Sequence, residues 1–246
     1  MKSSSITKEL EKEGIKVSCP QEAKNISEDL DLVIYSAAVT DENPELIEAR
    51  LKQIRTLSRK EALPIILGDK KNYCVAGAHG KSTTTAILAT ILQSSALIGA
   101  ISKEFGSNFR YVDKTVAFEA DESDASFLLS NPYCAIVTNA EPEHMEYYHY
   151  DYDKFYESYE TFLSLAKKRV VNGEDKDIQK LKIEDATYLY PSKDIKNLCY
   201  TLKDGQPCTK FDLKDYGTFE VWGFGFHIAS NASLAIMILR LLEKTF

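Results

Sequence analysis

The sequence has 246 residues, 44% of them hydrophobic, which is enough for a packed core in one large domain or two modest ones and argues against disorder. Its 30 Lys and Arg stand against 37 Asp and Glu, a net charge of -7, and no basic run is available to neutralise a polyphosphate backbone, so nucleic acid is excluded as an expected partner. The five cysteines are scattered, odd in number and without a Cys-x-x-Cys pair, which excludes a disulfide framework or zinc knuckle and points to a reducing compartment.

The chain opens on a polar stretch, Met1 to Lys12, with no apolar signal segment, and nowhere reaches the ~20 uncharged apolar residues of a membrane span. A soluble, cytoplasmic protein with no membrane partner is therefore expected. Ile6 to Glu13 has a helical pattern, Leu32 to Tyr35 reads as a strand, and Pro44 leads into a helix over Glu45 to Ile54. Gly68-Asp69-Lys70-Lys71-Asn72 is a polar break, which places a boundary between domains 1–69 and 70–246.

Beyond it come further strands, Tyr73 to Ala76, Val116 to Phe118 and Ala135 to Thr138. Helical patterns run over Ser82 to Leu92, Phe155 to Ala166 and Ile228 to Leu242. Continuously apolar strands alternating with helices predict an α/β fold built on a buried parallel sheet. Tyr147 to Tyr159 is tyrosine-rich and acidic, but Phe155, Tyr159, Phe162, Leu163 and Ala166 share one helical face, so core packing is favoured over ligand binding.

Strand, tight turn and helix coincide at Gly77-Ala78-His79-Gly80-Lys81-Ser82-Thr83-Thr84, the context in which a glycine loop cradles phosphate. Glycines let backbone N–H groups converge on phosphate oxygens, and the helix N-terminus adds positive potential. Lys81 is expected to reach the terminal phosphates and Ser82 to ligate magnesium. Val75 stands where the widespread form of the loop has its first glycine, which makes this the shorter Gly-x-x-Gly-Lys-Ser variety.

Four segments together resemble the Mur ligases: Gly77 to Thr84, Glu119 to Asp124, Thr138 to Glu146 and Gly225 to Ala235. The resemblance extends over essentially the whole chain and implies a P-loop-type central domain preceded by part of a Rossmann-like UDP-sugar domain. It implies ATP and Mg2+ as cofactors, with Gly77, Ala78, His79, Gly80, Lys81, Ser82 and Thr83 around the phosphates. In Phe118-Glu119-Ala120-Asp121-Glu122-Ser123-Asp124, Glu119 matches a magnesium-holding carboxylate, while Asp121 to Asp124 also suit a solvated turn that caps the following helix. His144 matches a histidine facing a second metal, with Glu143 in place of the usual aspartate, and Asn139 lies in the same substrate-facing motif. His227 and Asn231 match positions against adenine, where Ile228 departs from the usual asparagine. Ser36 and Ala37, after the first strand, match a loop near the nucleotide sugar, and His79 is also a candidate there.

The activity implied is ligation of L-alanine to UDP-N-acetylmuramate through an acyl-phosphate in peptidoglycan precursor synthesis, with Lys81, Glu119 and His144 carrying the chemistry. A sister ligase that attaches a recycled tripeptide, and an ATP-binding module without turnover, remain alternatives. The family's Gly-x-Gly-x-x-Gly opening and its third domain have no counterpart between Met1 and Phe246, so the chain is expected to hold a truncated sugar unit and a complete ATP unit.

Overall fold

The computed structural model describes residues 4–112 and 114–243. The Met1-Lys2-Ser3 opening and residues 244–246 of the second expected domain lie outside the described residues. The chain divides into two compact units, Met1–Ile66 and Leu67–Phe246.

In the first unit, Ser4 caps helix α1 (Ser5–Lys12) by accepting from the Thr7 N–H. Strand β1 (Leu32–Tyr35) pairs in parallel with β2 (Arg55–Ser58), Ile34 opposite Leu57, and α2 (Pro44–Leu51) crosses between them. Asn43 starts α2 by accepting from the N–H groups of Glu45 and Leu46 at 2.9 and 3.3 Å, with Pro44 in the first turn where its missing N–H costs nothing. Two expectations need correcting here. Strand β1 is half-buried, with Ile34 47% exposed, and the helix ends at Leu51 instead of Ile54. Gln53 takes a left-handed φ of +58° that turns the chain into β2.

Helix α3 (Arg59–Leu67) carries the chain across the division, which falls inside a helix and before the polar break. Lys71 and Asn72 belong to the next strand. Asn72 is fully buried there because its Nδ2 donates to the carbonyls of Ser130 and Asn131.

The second unit is a seven-stranded sheet whose strands are β3 (Lys71–Ala76), β4 (Ser95–Ser102), β5 (Ser107–Arg110), β6 (Thr115–Glu119), β7 (Pro132–Val137), β8 (Lys168–Asn172) and β9 (Thr187–Leu189). Their spatial order is β5-β4-β6-β3-β7-β8-β9, and all pairs are parallel except β4 with β5. Helix α4 (Lys81–Leu92) follows β3, and α5 (Tyr152–Leu165) follows β7 with Asp151 accepting from the Lys154 N–H as its cap. Phe155, Tyr159 and Phe162 on α5 are fully buried, so that face packs as core.

After the single-turn helix α6 (Pro191–Asp194), an antiparallel sheet forms from β10 (Ile195–Lys203), β11 (Gln206–Leu213) and β12 (Thr218–Trp222). Helix α7 (Phe226–Glu243) then closes the unit. Phe211 and Leu213 of β11, Ala229, Ala232 and Ala235 of α7, and Val75 and Ile136 of the large sheet share one buried cluster. The small sheet is thus tied into the same core.

Candidate phosphate-binding site

Strand β3 lies between β6 and β7, so whatever follows its C-terminal end is flanked by whatever follows theirs, the usual place for a ligand in an open parallel sheet. Residues 77–80 occupy that place. Gly77 has φ +132°, and a Cβ there would lie 2.7 Å from the Asn139 carbonyl oxygen and against Thr138 Oγ1. Gly80 has φ +84°, and its Cβ would lie 2.7 Å from Asn231 Oδ1. Both dihedrals favour glycine, and at Gly77 the approach of the Asn139 backbone requires it a second time. Helix α4 starts at Lys81 with no side-chain cap, which leaves first-turn N–H donors for an external acceptor.

Lys81 Nζ donates to the Gly77 carbonyl at 2.5 Å, to the Ala78 carbonyl at 3.4 Å and to Glu122 Oε1 at 2.9 Å. Beside it Ser82 Oγ donates to Glu119 Oε1 at 2.9 Å, while Glu119 Oε2 accepts from the Gly99 N–H at 2.7 Å. The two oxygens expected to hold magnesium are thus already together, a hydroxyl and a carboxylate suited to a hard cation. Among the described residues no cluster of three His, Cys, Asp or Glu could hold a metal alone, so further ligands would have to come from phosphate and water.

Asp121 and Asp124 serve the turn: their carboxylates accept from the N–H groups of Ser123 and Ser126. Glu122 differs, with its side chain 2% exposed and turned to Lys81. The sequence reading did not single it out. A lysine at the bottom of a loop needs a counter-ion, but acids follow both β6 and β7 at that end of the sheet, so residue type alone does not single out Glu122.

On the other flank, His79 and Asn139 bond reciprocally: the His79 N–H donates to Asn139 Oδ1 at 3.0 Å and Asn139 Nδ2 donates to the His79 carbonyl at 2.7 Å. Thr138 Oγ1 adds a bond to the same carbonyl at 2.6 Å. Asn139 therefore braces the loop. His79 Nε2 lies 3.4 Å from Glu143 Oε1 and 3.6 Å from Glu141 Oε2, an ion pair when the imidazole is protonated. Glu143 is thereby directed to His79 and not to its neighbour His144. His144 is exposed on a left-handed backbone, φ +52°, just before the run of turns over residues 145–150.

Asn231 packs on Gly80, while His227, one turn earlier on α7, is exposed with its ring beside Gly225. Ala78 and Thr83 are half-buried in the loop and first helical turn. Ile228, the departure from the usual asparagine, lies beside Gly223, where a Cβ would meet its Cδ1 at 3.4 Å. In the first unit, Ser36 lines an open cavity of about 430 Å³ with Gln21, Val39, Thr40 and Asn43 among others, while Ala37 is exposed and does not line it.

Residues 1–71 match the family described as Mur ligase family, catalytic domain, and residues 75–239 match the Mur ligase middle domain. This chain belongs to the Mur ligase family. It is 56% identical over 238 residues to UDP-N-acetylmuramate--L-alanine ligase of Campylobacter curvus, covering 96% of this chain and 54% of that protein. It is 50% identical to the ligase of the same name from Helicobacter pylori strain P12, covering 91% of this chain and 50% of that protein. The chain thus spans about half the length of the curated relatives it matches. Among solved structures, UDP-N-acetylmuramate-alanine ligase MurC of Thermotoga maritima superposes with TM-score 0.81 at 26% identity, over 99% of this chain and 58% of that one. A Neisseria ligase for UDP-N-acetylmuramate and a tripeptide shares the fold, with TM-score 0.76 at 21% identity over 98% of this chain and 83% of that one. As in other Mur ligases, the fold is mixed α/β around a mostly parallel sheet.

Proposed function

We propose that this chain is the part of an ATP-dependent ligase that binds ATP and the UDP-sugar substrate, in a protein that joins L-alanine to UDP-N-acetylmuramate through an acyl-phosphate during cytoplasmic peptidoglycan precursor synthesis. The observation that carries this reading is the joining of Ser82 to Glu119 beside a glycine loop whose lysine is already in place. The names of the relatives at 50–56% identity support L-alanine as the incoming amine.

In this reading the loop N–H groups and the α4 N-terminus bind phosphate oxygens, and Lys81 neutralises charge on the phosphoryl group as it transfers. Ser82 and Glu119 hold Mg2+, which supplies charge neutralisation and orientation. Asn139 and Thr138 keep the loop rigid through His79. His144 would hold a second metal ion that brings the substrate carboxylate close, His227 and Asn231 face adenine, and Ser36 with its cavity belongs to the sugar-binding unit up to Ile66. The remainder, from Leu67, is the ATP unit.

The test is incubation of the protein carrying this chain with ATP, UDP-N-acetylmuramate and either L-alanine or the tripeptide, reading ADP release and the amide product. Amide formation with L-alanine is expected. ADP release only with the tripeptide overturns the reading.

A further inference from the structure

Lys81 has three N–H donors, and all three are used within the chain, on the Gly77 and Ala78 carbonyls and on Glu122 Oε1. A phosphate oxygen that takes a bond from this ammonium must displace one of them. The carbonyl bonds belong to the loop itself. Glu122 belongs to another segment, after β6, and is the one acceptor carrying a full negative charge.

Its position is costly. Its side chain is 2% exposed, that of Lys81 is 15% exposed, and Glu122 Oε2 is buried with no hydrogen-bond partner among the described residues. The nearby Tyr148 hydroxyl donates at 2.6 Å to the backbone carbonyl of Glu122 and leaves the carboxylate unserved. Burial pushes the Glu122 carboxyl upward while the Lys81 ammonium pulls it down, and burial prevails. A buried carboxylate sustained by one lysine is the arrangement in which removing either partner is expensive.

We propose that Glu122 is a positioning residue that occupies the Lys81 ammonium in the nucleotide-free site, and that the terminal phosphates of ATP compete with it for that ammonium. The carboxylate stands in for phosphate: it holds Lys81 over the loop before nucleotide arrives, and it offsets part of the attraction when nucleotide does arrive. This rests on the phosphate-loop reading above.

The consequence is a pair of effects of opposite sign. Glu122→Gln keeps an acceptor of similar size but removes the charge, so the nucleotide-free chain loses its compensated ion pair and melts lower. The same change leaves Lys81 an uncompensated cation, so Mg-ATP binds about tenfold tighter, close to the lower end of what one charged hydrogen bond contributes. AMP, which lacks the terminal phosphates, binds unchanged.

The experiment is calorimetric titration of Mg-ATP and of AMP into the unaltered chain, Glu122→Gln, Lys81→Ala and the double variant, with a melting curve for each. Expected are tighter ATP binding and a lower Tm for Glu122→Gln, and no effect of Glu122→Gln on ATP in the Lys81→Ala background. ATP binding that is unchanged or weaker in a folded Glu122→Gln chain overturns the proposal, as does an equal gain for AMP or a gain that persists without Lys81. No Mg-ATP binding by the unaltered chain overturns the loop reading and this proposal with it. If Glu122→Gln does not fold, Glu122→Asp, which keeps the charge but withdraws it by one methylene, gives the same signs in smaller measure.

Discussion

Gly77→Ala is expected to damage the second unit well beyond what a lost glycine ordinarily costs. The backbone at φ +132° is a region that residues with a side chain almost never adopt, a strain of ~1–3 kcal/mol. The new methyl would also meet the Asn139 carbonyl oxygen at 2.7 Å and Thr138 Oγ1, on two residues whose side chains are bonded to the His79 carbonyl of the loop, adding ~1–3 kcal/mol of overpacking. Together these come to about 2–6 kcal/mol against a total stability of ~5–15 kcal/mol for a domain. Gly106 provides the control, because its φ is +66° but a Cβ there would meet nothing within 4 Å, so Gly106→Ala bears the backbone term alone. Urea denaturation followed by the single tryptophan, Trp222 in β12, reads the second unit directly. Gly77→Ala should lower the midpoint by more than Gly106→Ala. Equal shifts would refute the claim that the loop is closed down on Thr138 and Asn139.

Phe127→Ala should cost ~3–5 kcal/mol in the same assay, because this fully buried ring contacts Tyr159 and Phe162 at centroid distances of 5.3 and 5.0 Å; a loss below 1 kcal/mol would contradict the packing. Of the five cysteines, Cys19 and Cys199 are exposed, while burial pushes the Cys74 and Cys134 thiols up to about 12 and Cys208 is also buried. Thiol titration of the native chain should therefore label two groups, and raising the pH from 7 to 9 should not recruit Cys74 or Cys134, since the reactive thiolate is not formed below their raised values. Glu119→Gln should weaken ATP binding in Mg2+ by at least the ~10–100-fold that loss of a supporting metal-site partner costs, and leave binding in EDTA unchanged. Equal loss in both media would remove the cation from Glu119.

The central sheet strands were legible because burial on both faces erases polar alternation, and the glycine loop was legible because strand, turn and helix signals coincide on Gly77 to Lys81. Other elements were hidden for particular reasons. Strand β2, Arg55-Thr56-Leu57-Ser58, carries only one apolar residue with no alternation beyond it. Strands β10 and β11 meet at Asp204-Gly205, a two-residue hairpin signal with φ +52° and +73°, but β10 is largely exposed and gives no apolar run to flank it. In the site, Ser82 and Glu119 were readable from their chemistry, whereas Glu122 was masked by Asp121 and Asp124, whose turn bonds are what an acidic cluster before a helix ordinarily makes. The role of Asn139 as a brace depends on β7 lying next to β3, which sequence order does not reveal.

Calorimetric titration of Mg-ATP into the unaltered chain and into Lys81→Ala tests the assignment of residues 77–84 as the nucleotide-phosphate site most directly. The unaltered chain should bind and Lys81→Ala should bind weaker by about one to two orders of magnitude, the loss of a charged hydrogen bond to phosphate. Equal affinity of the two chains would contradict it.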